Sequence, residues 1–177
     1  MPSYYTYLIS SLPLLNFGAN PPFSLEEFIE VCSGVIKNTD LQEIIDAVNI
    51  PDYKLNLKSA QILKKWRIFN ISLRNELARV RAGRKKVDPS KYISQDIYPL
   101  ASITHAAMSA YRNQNILEAE KYLDLERWHF LDDTSFGHYF DIDLLIAYAL
   151  KLKILIRWDR INKADKESLL ESALSRN

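Results

Sequence analysis

The chain has 177 residues, of which 47% are apolar and 25% charged, and its net charge is +1. That length buries a sizeable core, and the composition is that of an ordinary soluble globular protein with one domain over residues 1–177. Its four glycines, Gly18, Gly34, Gly83 and Gly137, are scattered, whereas a phosphate-cradling loop needs them clustered, so P-loop and Rossmann nucleotide sites are disfavoured.

The N-terminal "MPSYYTYLISSLPLL" has no basic residue ahead of its apolar run, which argues against a secretory signal and predicts a mature cytoplasmic chain. "YYTYLIS" is rich in aromatic and branched residues and leaves open one short N-terminal strand. Residues 13–23 hold three prolines and Gly18 and read as a loop. Ser24 with Glu27 then forms a capping box, opening a helix whose apolar face is Leu25, Phe28, Ile29, Cys32 and Ile36. Cys32 is the sole cysteine, so no intrachain disulfide forms and a reducing compartment is favoured. On that face it reads as a small core residue; a nucleophile would need a partner base. "DLQEIIDAV" repeats the start signal with Asp40 and Glu43.

The longest periodic run predicts a helix over Leu57–Ala82, with Ile62, Trp66, Phe69, Leu73, Leu77 and Val80 as one seam. Such a helix is about 39 Å long, which predicts an elongated molecule. Gly83 is expected to end it, and "KKVDPSK" marks an internal linker near 84–95, with Asp88 kept out of helix by Pro89. Charge changes abruptly here. Residues 1–53 carry one Lys against seven Asp/Glu, residues 54–86 eleven Lys/Arg against Glu76 alone, and residues 87–177 eleven Lys/Arg against fourteen Asp/Glu. The chain is therefore a basic block between acidic flanks. Its densest part, Arg74, Arg79, Arg81, Arg84, Lys85 and Lys86, is the best candidate partner-binding surface. The alternative is a solvated helix end whose cations offset the negative C-terminal dipole. Among acidic partners, nucleic acid ranks last, because the sequence pI is only 7.8.

Pro99 suits the first turn of the next helix, and Asn115 with Glu118 caps the one after. "DLERWHFLDD" places Glu126, His129, Asp132 and Asp133 at spacings a catalytic site would use, but the mixed charges read as a solvated helix surface. His105 also stands in a helix with mixed surroundings. In "FGHYFDID", His138, Asp141 and Asp143 offer the ligands of a metal-dependent hydrolase. The simpler reading is a helix start, with Gly137 breaking the chain and Asp141 or Asp143 as the N-cap. Directly behind it, Ile142–Trp158 is apolar except for Asp143, Lys151, Lys153 and Arg157, which share one arc with Arg160. It is short of a membrane span and reads as the central helix of the fold. The expected fold is thus mainly α, about six helices around a central apolar helix, with no cofactor site implied.

Three segments carry a resemblance: "YYTYLISSLPLL" followed by "PPFSLEEFIEVC", the middle "WRIFNISLRNELARVRA", and "LEAEKYLDLERWHFLDD…GHYFDIDLLIAYALKLKILIRW". In this order, over roughly residues 4–160, they resemble an uncharacterised bacterial family encoded among the genes of V-type (V/A-type) ATPases. "DIDLLIAYALKLKILIRW" is more weakly similar to the "IAY" helix of the d-like family of V-type ATPase proteins, all-helical sockets between the central stalk and the membrane rotor ring. The resemblance implies a cytoplasmic, non-enzymatic subunit or accessory of the rotary ATPase. Its partners would be stalk or rotor subunits and membrane head groups at the inner face. It assigns no catalytic residue. A helical regulatory or nucleic-acid-binding module is the alternative.

Overall fold

The computed structural model describes residues 3–49, 60–93 and 100–174. Its regular structure is all helical: seven α-helices and one short 3-10 turn among the described residues. Contacts divide the chain into two compact units, one from Met1–Val48 with Phe140–Asn177, the other from Asn49–Tyr139.

The first unit contains α1 (Ser3–Ser11), α2 (Leu25–Ser33), α3 (Asn38–Asn49) and α7 (Ile142–Leu174). Helix α1 occupies the segment whose composition suggested a strand. Aromatic and branched residues fit a pleated surface only where a partner strand exists. Without one, the helix satisfies the backbone internally and buries Leu8. Helix α2 starts as predicted. The Glu27 N–H donates to Ser24 Oγ at 3.1 Å and the Ser24 N–H to Glu27 Oε2 at 2.7 Å, closing the capping box. Helix α3 begins two residues before Asp40, so Asp40 lies inside the first turn instead of capping it. Its carboxylate instead accepts from the Tyr5 hydroxyl of α1.

Helix α7 is the apolar centre of this unit. Leu145, Ile146, Ala149 and Leu152 are fully buried, and each large aliphatic side chain so placed contributes about 1.5–3 kcal/mol of transfer free energy. Phe28 of α2 packs on Tyr148 with ring centroids 5.3 Å apart. The Tyr148 hydroxyl donates to the Pro13 carbonyl at 2.9 Å, and Lys153 Nζ to the Val48 carbonyl at 2.8 Å. Those two bonds fasten the loop after α1 and the end of α3 to α7. Arg157 and Arg160 face solvent, while Asp143, Lys151 and Lys153 are half-buried. The charged arc therefore forms the rim of a core helix, and no described helix is long and apolar enough to cross a membrane.

The second unit contains α4 (Gln61–Lys85), the 3-10 turn η1 (Pro89–Tyr92), α5 (Ala101–Arg112) and α6 (Ile116–Ser135). Leu73 joins Ile103, Ala106, Ala107, Ala110 and Leu123 in its core, with Phe69 and Leu77 packed against them. Phe69 stacks on Phe130 with Trp66 tilted beside it, while Asn70 meets Arg127. Residue numbers rise along one helix as they fall along the other, so α4 and α6 are antiparallel. Asn115 caps α6 by accepting from the Leu117 and Glu118 N–H groups at 3.0 and 3.3 Å. Pro99 lies outside the described residues, and α5 starts after it at Ala101.

Gly83 does not end α4. The helix runs on to Lys85, and Lys86 takes the left-handed conformation at φ 53°. The Val87 N–H then donates to the Ala82 carbonyl at 3.1 Å and the Lys86 N–H to the Gly83 carbonyl at 3.3 Å. This is the paired closure of a Schellman motif, with lysine where glycine is usual. Asp88 is extended and caps η1 through the Ser90 N–H, and η1 packs back on α4. The part of the expected linker that is described is thus an ordered turn.

Candidate docking surface

Helix α4 sinks at one end and emerges at the other. From Ile62 to Glu76 it buries an apolar face and also Arg67, Asn70, Ser72, Asn75 and Glu76. Arg67, Arg74 and Arg81 lie seven residues apart and so share one azimuth. Arg67 is 1% exposed, whereas Arg74 and Arg81 are exposed. Along this azimuth the cations reach the surface only from Arg74 onward.

The six candidate cations therefore divide. Arg74, Arg81 and Lys85 fall within an arc of about 40° and form one exposed stripe, with Arg84 about 80° from Arg74. Lys86, also exposed, lies beyond the helix on the left-handed turn. Arg79 points elsewhere and pairs with the carboxylate of Glu76, which is buried. Spacing alone did not separate Arg79 from the others, because a cation three residues after a glutamate is surface or partner according to what covers the glutamate.

Beside the stripe the structure holds a buried polar network that the sequence pattern did not announce. Arg127 of α6 donates from Nε to Asn70 Oδ1 at 2.9 Å and from Nη1 to Asp124 Oδ1 at 2.7 Å. Asn70 also donates from Nδ2 to the Trp66 carbonyl at 3.0 Å, so both ends of its amide are used. Asp124 is 1% exposed. The one available signal was Asn70, set between Phe69 and Ile71 in the periodic run.

The other sequence candidates resolve locally. The Leu144 N–H donates to Asp141 Oδ1 at 3.1 Å, so Asp141 is the N-cap of α7, and Gly137 turns the chain at φ 88°. Asp143 lies in the first helical turn, where the dipole favours a carboxylate. His129, Asp132 and Asp133 stand exposed on α6 and His105 exposed on α5. Among the described residues no three His, Cys, Asp or Glu side chains group as a metal ion would require. Cys32 is fully buried, and burial pushes its thiol up to about 12, away from nucleophilic use. In the first unit a groove of about 240 Å³ runs between the Ile9–Leu15 segment and α7, with Leu12, Leu144, Ala147 and Lys151 among its lining. It is smaller than the usual 300–1,000 Å³ of ligand sites, and the hydroxyl of its Tyr148 is spent on Pro13.

Residues 104–173 match the model of a family described as a protein of unknown function (DUF2764). The match takes in most of α5, all of α6 and nearly all of α7; α4 and its basic stripe lie outside it. No curated protein and no solved structure matches the chain.

Proposed function

We propose that this chain is a non-enzymatic accessory or coupling component of a bacterial V-type ATPase, cytoplasmic and working at the inner face of the membrane. It docks at the rotary complex through the exposed cations at the C-terminal end of α4, which suit an acidic subunit surface or the head groups around the rotor ring. The observation that carries this reading is the ordered resemblance of three segments, spread over roughly residues 4–160, to a family encoded among V-type ATPase genes. The exposed stripe of Arg74, Arg81 and Lys85, with Arg84 and Lys86 beside it, supports it by supplying a surface suited to an acidic partner.

The test is affinity purification of the tagged chain from its native host. V-type ATPase subunits should co-purify, and they should dissociate as salt is raised. The triple variant Arg81→Glu, Arg84→Glu, Lys85→Glu should lose them while keeping its helical circular dichroism, since all three side chains are exposed. Arg79 is left intact because its loss would strand the buried Glu76. Absence of every V-type ATPase subunit from the wild-type eluate would overturn the proposal.

A further inference from the structure

The end of the second unit that bears the basic stripe also bears the unit's most exposed aliphatic side chain among the described residues, Ile116. Because α4 and α6 are antiparallel, with Asn70 opposite Arg127, Ile116 at the start of α6 lies level with about residue 81 of α4. The short turn 113–115 brings the C-terminus of α5 to the same end, and η1 folds back onto α4 there. Four separate segments therefore meet at one end of the unit.

Residues 81–92 and 112–118 supply six cations to this end, Arg81, Arg84, Lys85, Lys86, Lys91 and Arg112, against the two acids Asp88 and Glu118. The C-termini of α4 and α5 contribute a partial negative charge of only about one half each, so they do not neutralise the excess. Among these cations stand Ile116, 80% exposed, Tyr92, 63% exposed, and the partly exposed Leu117 and Val87. A solvated helix end needs cations but has no use for aliphatic tips at the same place. The face is built of protruding side chains on helix and turn ends, so it suits an extended surface better than an enclosed ligand.

We infer that this end is a membrane-docking face that takes the head groups of anionic phospholipids, with Ile116, Leu117, Val87 and Tyr92 entering the interface between the cations. Cations near an anionic leaflet and short apolar or aromatic side chains at head-group depth are the two complementary parts of peripheral binding. No described helix is long and apolar enough to cross a membrane, and the face itself calls only for reversible attachment at the surface. The inference rests on reading the basic stripe as a docking surface, and it needs no ATPase to be tested.

Purified full-length chain is floated with vesicles of phosphatidylcholine alone and with vesicles containing about one third phosphatidylglycerol. Binding should be confined to the anionic vesicles and should weaken as salt rises. Reversing Arg81, Arg84 and Lys85 to Glu should weaken it at least roughly a hundredfold, from about a tenfold effect per 1.4 kcal/mol and about 1 kcal/mol per cation. The variant Tyr92→Ser with Ile116→Ser keeps every charge and should weaken it by roughly tenfold. Circular dichroism of each variant establishes that it is folded. Equal binding to neutral vesicles, or unaltered binding by either folded variant, overturns the inference. So does retention on immobilised polyglutamate with no vesicle binding, which would assign the face to an acidic protein. Loss of ATPase co-purification with vesicle binding intact would remove the proposed function and leave the lipid face standing.

Discussion

Lys86 and Gly83 have exchanged the places that helix chemistry prefers. Glycine reaches the left-handed region without cost, whereas a residue with a Cβ is strained there by about 1 kcal/mol. Inside a helix the preference reverses, and glycine costs about 0.5–1 kcal/mol relative to alanine. A Cβ built on Gly83 meets nothing within 4 Å. Gly83→Ala should therefore stabilise the protein by about 0.5–1 kcal/mol, and Lys86→Gly by a similar amount, read from urea midpoints. Destabilisation by Gly83→Ala would show that α4 does not pass through residue 83 in solution. The sequence pointed to glycine as the stop because nothing in a single chain reveals that a lysine will accept the left-handed turn. Cys32 was easier to read, its position on an apolar face announcing burial. With the thiol held at about 12 against an ordinary 9.0, the folded state favours the neutral form. Its stabilising contribution is full below about pH 9 and is lost as pH rises toward 12. Stability measured by urea should fall between about pH 9 and pH 12, and Cys32→Ala should lessen that fall. A thiol reagent should label Cys32 only on unfolding.

Among the helices, local start signals and apolar faces were legible, and polar contacts between distant segments were not. The Ser24–Glu27 box, the Asn115 cap and the Asp141 cap are each decided within four residues, and all three stand in the structure. Asp40 failed as a cap because Tyr5, 35 residues away, claims its carboxylate. That contact is invisible in a local window. It also holds the Tyr5 phenol above its ordinary value, through burial first and then the hydrogen bond. The seam Ile62, Trp66, Phe69, Leu73, Leu77 and Val80 was readable by period and is buried or half-buried throughout. The polar network against it was not readable, since charged residues in a helix are ordinarily solvated. Two aspartates with contrasting surroundings test this account. Asp124→Ala leaves Arg127 without its carboxylate in a buried setting and should cost about 3 kcal/mol or more. Asp141→Ala removes a single cap and should cost about 1 kcal/mol, with Asp141→Asn nearly silent. Equal costs for Asp124→Ala and Asp141→Ala would mean that the network adds nothing beyond a surface pair.

For the whole molecule, the decisive fact is which pieces of chain share a core. Composition indicated one domain, and the apolar helix behind Asp141 indicated its centre. No sequence period records that residues 1–48 and 140–177 close into one unit although residues 49–139 separate them in the chain. The consequence is an asymmetry between fragments. Asn49–Tyr139 is continuous and carries its own core of Leu73, Ile103, Ala106, Ala107, Ala110 and Leu123 and its own network of Asn70, Asp124 and Arg127. The first unit is split, so α1, α2 and α3 are held by α7, through Phe28 on Tyr148, Tyr148 on Pro13 and Lys153 on Val48. Expressed alone, 49–139 should be helical and melt cooperatively. A fragment of 1–139 lacks α7, and with it the buried Leu145, Ile146, Ala149, Leu150 and Leu152. Its α1, α2 and α3 should then lose amide-exchange protection while α4, α5 and α6 keep theirs, because each unit's protection depends on its own core. Adding a peptide of residues 140–174 should restore protection to α2 and α3 specifically, as the Phe28–Tyr148 and Lys153–Val48 contacts require. Protection of residues 1–48 in the absence of α7 would show that these helices find their core elsewhere.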